Sequence, residues 1–305
     1  MTERSLIFIV GPTAIGKTSL SIRLARRING EIISADSMQI YKGMRILSQA
    51  PAGRERKGVK HYLVLALEPG KEYSAASFRK EAAEIIDSII KRKKVPIVTG
   101  GSGLYVKALI DGLFPSPKAD LKFRKKMAAF ASRRGSGRLH ERLAGIDPAA
   151  AGKIHPNDAR RIIRGLEIYH STGRTMTELK AGTKGLTSRY DIKVFGLTRP
   201  REEIYSAIEA RVERMFEGRV IYEVKKLKRK RLSKTAKAAL GFKEIAGYLD
   251  GKYGLDTAKY LIKRNTRHFA KRQLAWFRAD KRIRWLDMSR MSEGAAVRKI
   301  AGEAA

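Results

Sequence analysis

Eight residues near the start of the chain, Gly11-Pro12-Thr13-Ala14-Ile15-Gly16-Lys17-Thr18, restrict the fold more than any other stretch, because they match G-x-x-x-x-G-K-[ST] between suitable flanks. Leu6 to Val10 is an apolar run rich in β-branched residues, and Ser19 to Arg27 has helical spacing. Strand, glycine-permitted turn and helix in that order make a phosphate loop. Backbone N–H groups, the positive end of the helix and the Lys17 ammonium converge on a polyphosphate, with the Thr18 hydroxyl placed for Mg²⁺. Pro12 has no N–H to give, so the cradle forms from the residues after it. The loop alone identifies neither the polyphosphate nor the bond that is broken.

The rest of the chain must then supply a parallel sheet and an acceptor. Glu31 to Asp36 reads as a short strand ending in a carboxylate, and in an open parallel sheet the carboxyl ends of the strands face the ligand crevice. Asp36 and Lys17 are therefore expected to be neighbours. Ser37 to Gly58 is polar and glycine-bearing and reads as a mobile loop, succeeded by a strand from Tyr62 to Leu67. Apolar residues at helical spacing predict a helix over Ala75 to Lys91. Val95 to Val98 is a buried strand that leads into Thr99-Gly100-Gly101-Ser102-Gly103 and a helix through Ile110. That glycine turn suits either close approach of the backbone to a ligand or a helix start with Ser102 as the N-cap.

Pro115 and Pro117 break the α/β rhythm, and from there the chain is helical and basic up to the next strand-like run, Asp191 to Leu197. Within that basic stretch, Asn157 or Asp158 caps a helix carrying Arg160, Arg161 and Arg164. The predicted fold class is α/β: a P-loop NTPase-like core with a parallel sheet over 1–112 and 190–305, a helical insertion over 113–189, and a helical C-terminal third. Helices are expected over Glu202 to Phe216, around Glu223 to Arg231, over Phe242 to Leu249, and from Asp256 to Ala279; Ser289 to Ala305 reads as a fading tail. Lys259, Lys263, Arg267 and Lys271 form one ridge on the long helix, with Ala258, Leu261, Ile262, Phe269 and Trp276 as its packing surface. With no Glu interleaved in the ridge, contact with RNA or phosphate is the expectation.

Charge narrows the partner. The formal net charge is +35, from 65 Lys and Arg against 30 Asp and Glu, which points to a polyanion, nucleic acid first and an anionic membrane second. No apolar run approaches the roughly 20 residues of a membrane span, and no signal-peptide pattern is visible, so a cytoplasmic location is expected. Without cysteines, and with five scattered His, thiolate and zinc sites are excluded, which leaves an oxygen-liganded Mg²⁺ as the expected metal. The obvious later strand ends Ile97-Val98-Thr99-Gly100 with no acid, so Asp36 is the better-placed carboxylate. Two reactions remain open to such a loop. The terminal phosphoryl can move to an acceptor, or a whole diphosphate can leave from carbon while a carboxylate assists the nucleophile. The basic surface favours a polynucleotide acceptor.

These residues resemble a known family. Gly11 to Thr18, then Ile33-Ser34-Ala35-Asp36-Ser37-Met38-Gln39-Ile40-Tyr41-Lys42-Gly43-Met44, are similar to the opening of bacterial tRNA dimethylallyltransferases, also called tRNA isopentenyltransferases. Further similar blocks are Pro69 to Arg79, Gly100 to Tyr105, Ile154 to Asp158, Arg211-Val212, Leu240 to Glu244 and Lys271 to Arg278, in order along nearly the whole chain. The resemblance implies transfer of a dimethylallyl group from dimethylallyl diphosphate to N6 of the adenosine just 3′ of a tRNA anticodon, by a monomer that needs no membrane. It implies that the loop from Gly11 to Thr18 binds the diphosphate, with Lys17 and Arg211 assisting its departure and Thr18 on Mg²⁺. Asp36 would deprotonate the amine. Asp36, Ser37, Met38, Gln39 and Ser102 would contact the target nucleotide, while Arg124, Arg160, Arg161, Ile162, Ile163 and Arg164 would contact the anticodon stem. This sequence departs from the family pattern at Arg45, at Leu47 to Ala50, at Ala207 and at Ala275, and it has Ser102 where Thr is usual. A transferase acting on free adenine nucleotides, a P-loop small-molecule kinase and a non-catalytic RNA-binding protein are the alternatives, and an ATP-binding label taken from the motif alone would misname the ligand.

Overall fold

In the computed structural model, which describes residues 5–114 and 117–304, the chain divides into two compact units, Met1–Ile110 with Leu186–Ala305, and Asp111–Gly185. Pro115 lies outside the described residues. The first unit opens with β1 (Ser5–Val10), α1 (Lys17–Arg27), β2 (Gly30–Ser34), α2 (Arg45–Ser48), β3 (His61–Tyr62), α3 (Ala75–Lys91), β4 (Val95–Gly100) and α4 (Gly103–Ile110). The second unit holds α5 (Leu121–Arg134), α6 (Ser136–Ile146), α7 (Pro148–Ala151), α8 (Ala159–Thr172) and α9 (Met176–Ala181). The chain then returns to the first unit with β5 (Asp191–Thr198), α10 (Arg201–Glu217), α11 (Val220–Lys228), α12 (Lys234–Lys237), α13 (Phe242–Leu249), α14 (Leu255–Arg278), β6 (Ile283–Asp287) and α15 (Glu293–Ala304).

The strands form one six-stranded sheet in the order β3-β2-β4-β1-β5-β6, with every pairing parallel. Side chains alternate across it as strand geometry requires. Leu6, Phe8 and Val10 enter a core with Ile33, Val98 and residues of α3 and α4, while Ile7 and Ile9 enter a second core with Ile32, Ile97 and residues of α1 and α15. Helices thus cover both faces, which is why the strands read as continuous apolar runs.

The structure revises three expectations in this unit. The strand predicted over Tyr62 to Leu67 stops at Tyr62, because Leu63 and Leu65 take φ of 58° and 52°, outside the extended region. Ser37 to Gly58, expected to be a mobile loop, contains α2 and buries Ile40, Tyr41, Met44 and Leu47 in the core. The predicted tail from Ser289 comes after an unpredicted strand, β6, and forms α15, whose Ala296, Val297 and Ile300 are buried beside α1. The second unit has its own small core of Leu139, Leu143, Ile162 and Leu166, and α8 is capped by Asp158, which accepts from Arg161 N at 3.1 Å.

Because α15 closes one face of the sheet, Ile300→Ala should lower the free energy of unfolding by about 2–5 kcal/mol in urea titration. A loss below about 0.5 kcal/mol, the value for a surface substitution, would return the segment to the status of a tail.

Candidate active site

Gly16 caps α1 at φ 94°, a left-handed conformation that suits glycine, and no side chain bonds to that helix end. Ala14 also lies at positive φ, 64°, so the loop holds one strained non-glycine residue at the turn. The first amides of α1 have no partners within the helix and point outward past Gly16. Lys17 folds back over the loop, donating to the carbonyls of Gly11 at 3.0 Å and Pro12 at 2.6 Å. Burial pushes its pKa down to about 8; the Asp36 carboxylate opposes this and the Arg211 guanidinium adds to it. Arg211, from α10, donates to the Thr13 hydroxyl. Its pKa is likewise lowered by burial, to about 10, with Asp36 pulling upward and Arg214 downward, and it remains a cation at neutral pH. Pro12 contributes a carbonyl rather than an N–H, as expected. Thr13 N donates to Gln273 Oε1 at 2.8 Å, so the anion-facing amides begin at Ala14. The Ile15 side chain is buried in the core and anchors the loop from behind.

The acceptor side is built where β2 ends. Ala35 N donates to Thr99 O at 2.7 Å, and Ser102 N to Ala35 O at 3.1 Å, so the chain leaves β2 pressed against the turn after β4. A Cβ on Gly100 would lie 2.2 Å from Ala35 O, and one on Gly101 would lie 2.1 Å from Gln273 Nε2. One on Gly103 would meet the Trp276 ring at 2.2 Å. These glycines admit protein groups, not a ligand. Ser102 stands directly before α4, where its carbonyl accepts from Tyr105 N at 2.9 Å and Val106 N at 3.1 Å, and its hydroxyl oxygen accepts from Ser37 N at 3.0 Å and so holds the residue beside Asp36. Asp36 Oδ1 accepts from Met38 N at 2.9 Å, which leaves Oδ2 as the oxygen available to an acceptor. Gln39 is fixed by Ser34 Oγ at 2.9 Å and by its own bond to Gln49 O at 3.3 Å.

Two cations and one carboxylate, all within electrostatic reach of one another, therefore sit at the carboxyl ends of the parallel strands. The family model for IPP transferase matches residues 39–280. The chain belongs to the IPP transferase family. It is 49% identical over 288 residues to the tRNA dimethylallyltransferase of Halothermothrix orenii, covering 93% of this chain and 88% of that one. It is 48% identical over 306 residues to that of Carboxydothermus hydrogenoformans, covering 100% and 98%. Among solved structures, the tRNA isopentenylpyrophosphate transferase of Bacillus halodurans is 39% identical at a TM-score of 0.72, covering 98% of this chain and 95% of that one. A eukaryotic dimethylallyltransferase acting on tRNA is 30% identical at a TM-score of 0.79, covering 97% and 78%. The family match begins beyond the phosphate loop, so the reading of Gly11 to Thr18 rests on this chain's own residues.

Several residues of this IPP transferase have partners that the sequence does not show. Glu167 of α8 is fully buried; burial would raise its pKa, but bonds from Arg124, Arg164 and the Asp120 amide outweigh that and hold it below the ordinary range. Arg124 binds both Glu167 oxygens at 2.8 Å, and Arg164 bonds to Glu167 and to Pro117 O. Both are braces of the helical unit. Ile162 is fully buried in that unit's core, so its side chain has no surface to offer RNA, whereas Arg160 and Arg161 are exposed and Ile163 is half-buried. The α14 ridge has partners too: Lys259 and Lys263 each bond Glu213 of α10 at 2.7 Å, and Arg267 faces Glu209 at 3.6 Å. The partners absent from the ridge's own helix come from the neighbouring one. Of the expected packing surface, Ala258 and Ile262 are buried, in a stripe that continues through Thr266, Ala270, Gln273 and Phe277, while Trp276 is 39% exposed.

Three further residues shape the site, and residue type alone gives none of them a role. Gln273 joins the phosphate loop to the glycine turn. Glu223 of α11, its pKa raised by burial, accepts from Ile46 N at 2.9 Å and Leu47 N at 2.8 Å and so secures α2. Tyr105, stacked on Phe78 at 4.4 Å, has its pKa raised by burial, then by Tyr41 and Asp36, and stays a neutral hydroxyl.

An anion on the loop stabilises the Lys17 ammonium and raises its pKa above the free value of about 8. Affinity for a monoalkyl diphosphate, itself fully ionised above about pH 7, should therefore be level to pH 8 and then fall up to tenfold per pH unit. In Lys17→Arg, whose guanidinium stays charged well above pH 8, titration calorimetry should show no such fall between about pH 8 and 9. The ridge gives a second expectation. Lys263→Glu with Arg267→Glu should reduce stability by on the order of 1 kcal/mol and leave the salt dependence of tRNA binding unchanged. A shallower salt slope in a filter-binding assay would restore the ridge as an RNA contact.

Proposed function

We propose that this IPP transferase family member moves a dimethylallyl group from dimethylallyl diphosphate to N6 of the adenosine on the 3′ side of a tRNA anticodon, releasing diphosphate. The observation that carries the proposal is the convergence of Lys17 and Arg211 on the same region as Asp36, with the carboxylate just past β2 and no acid at the end of β4. Relatives named tRNA dimethylallyltransferase at 48–49% identity over most of the chain support the reading.

The reaction forms an N6–C bond, breaks the allylic C–O bond and moves one proton. The exocyclic amine is a weak nucleophile because its lone pair is delocalised into the ring. Asp36 Oδ2 accepts a hydrogen bond from that amine and takes its proton as the C–N bond forms. The departing diphosphate gains charge as the C–O bond breaks, and Lys17, Arg211 and the amides from Ala14 to Thr18 are fixed around it beforehand. The allylic carbon tolerates cationic character meanwhile. A base that must reach Asp36 has to leave its stack, and Ser37, Met38, Gln39 and Ser102 surround the place it would enter. Arg160 and Arg161 are the exposed cations of the α8 stretch offered to the anticodon stem, and a monomer suffices for all these roles.

Mg²⁺ suits the site: Thr18 is exposed at the start of α1 and gives the hard oxygen ligand this ion prefers beside diphosphate oxygens and water. Bound there, it would supply further charge neutralisation to the leaving group. Among the described residues no group of three or more His, Cys, Asp or Glu could hold a metal, so a site completed by substrate oxygens is the fitting kind. No described helix is long and apolar enough to cross a membrane.

The test incubates the protein with Mg²⁺, dimethylallyl diphosphate and unmodified tRNA, and examines the digested RNA by mass spectrometry for adenosine carrying an added C5H8. Wild-type protein should give that product, and Asp36→Ala should lose about 10²–10⁴-fold in rate. ATP turnover without prenyl transfer would assign the site to a kinase, and preferential prenylation of free AMP would assign it to the free-nucleotide transferases.

A further inference from the structure

We propose that Gln273 is a positioning residue that sets the separation between the phosphate loop and the carboxylate that receives the proton; this rests on the function proposed above. The sheet order β2-β4-β1 puts a strand between the two halves of the site. The phosphate loop leaves β1 and Asp36 lies just past β2, so no backbone ladder joins them directly, and their spacing has to be carried across the end of β4. On the β2 side, the close approach of Ala35 to Gly100 and the bond from Ser37 N to Ser102 Oγ make that join. On the β1 side the backbone ladder ends at Val10 and Gly100, and beyond it the join is made by a side chain. Gln273 Oε1 accepts from Thr13 N at 2.8 Å and Gln273 Nε2 donates to Gly101 O at 2.9 Å.

Three features make this a specific bridge. An amide has one end that only accepts and one that only donates, and here each end meets its complement, so one orientation is selected. The side chain is 6% exposed, which makes an unpaired group there costly. Its helix is held on either side of the amide by the buried Ala270 and Phe277, so the bridge stands on a rigid base. The segments it joins are themselves coupled to the chemistry: Thr13 also receives Arg211 on its hydroxyl, and Gly101 precedes the Ser102 that holds Ser37 beside Asp36.

Two substitutions test the bridge. Gln273→Glu keeps shape and the acceptor toward Thr13 but sets a carboxylate oxygen against Gly101 O; Gln273→Met keeps length and removes both bonds. Single-turnover prenylation with saturating dimethylallyl diphosphate and tRNA should slow about 10- to 100-fold in both, as expected for a displacement of reacting groups by up to about 1 Å. Dissociation constants for each substrate should stay within about threefold, and the thermal midpoint of Gln273→Glu within about 5 °C of wild type. An unchanged single-turnover rate in folded Gln273→Glu overturns the inference, as does a parallel loss of binding, rate and thermal midpoint, which would mark a residue needed only for folding. If Gln273→Met does not fold, Gln273→Glu alone decides by the same readings. Wild-type protein that makes no prenylated adenosine would instead remove the proposed function, so the two failures are told apart.

Discussion

The contact between the backbone of Ala35 and Gly100 governs how the two halves of the site meet. A Cβ at position 100 would overlap the Ala35 carbonyl at 2.2 Å, and neither partner is a flexible side chain that could move aside. That approach turns the chain out of β2 toward the β4 turn and lets Ser102 take the Ser37 amide. Asp36 is thereby delivered to the rim of the sheet with one oxygen fixed by Met38. On the other flank, Lys17 and Arg211 are set by the loop after β1 and by α10. The proposed acid–base and leaving-group machinery thus stands at the carboxyl ends of β2 and β1, on either side of β4, where parallel sheets present their ligands.

Charge is handled differently at the site and at the surface. The chain carries a formal +35, yet many of its cations have named acidic partners: Lys259 and Lys263 on Glu213, Arg124 and Arg164 on Glu167, Arg92 and Lys94 on Glu31. These pairs join elements within a unit, and removing the buried Glu167 or Glu31 would leave cations without the partner around which they are arranged. The α11 segment contrasts with them. Lys225, Lys226, Arg229, Lys230 and Arg231 are exposed, and within this run it is Lys228 that bonds to an acid, Asp250. Cations are therefore less closely matched by acids in this segment than along the long α14 ridge.

Much of this is legible in the sequence wherever local pattern and tertiary need agree. The phosphate loop, the apolar strands β1 and β4, the Ala75–Lys91 helix and the carboxylate just past β2 all arise from residue type and spacing. The features that escape the sequence depend on partners distant in the chain. Ser37 to Gly58 has a polar composition, but its apolar residues Ile40, Tyr41, Met44 and Leu47 are all buried, and Glu223 secures it from 177 residues away. The α14 ridge looks unpaired because its acids are on α10. The glycine turn reads as room for a ligand because nothing local shows that Ala35, Gln273 and Trp276 occupy that room. Leu63 and Leu65 interrupt an otherwise strand-like run by backbone conformations that no residue type there announces.

The same geometry explains why a motif usually associated with nucleoside triphosphates serves a reaction at carbon. In phosphoryl transfer the acceptor approaches the terminal phosphorus, and the protein's charges surround that atom. Here the carboxylate that can activate a nucleophile lies past β2, separated from the phosphate loop by β4, while Lys17 and Arg211 stay with the loop. In the proposed reaction, an acceptor bound to Asp36 and a diphosphate held by the loop come from different strand ends, which leaves a place for the alkyl carbon between them. Both cations are partly buried with lowered pKa values, so they are poorly solvated and respond strongly to charge that develops on the leaving oxygens. In the proposed reaction, stabilisation is thus concentrated on the group that departs, and Asp36 collects the proton from an amine made acidic by bond formation.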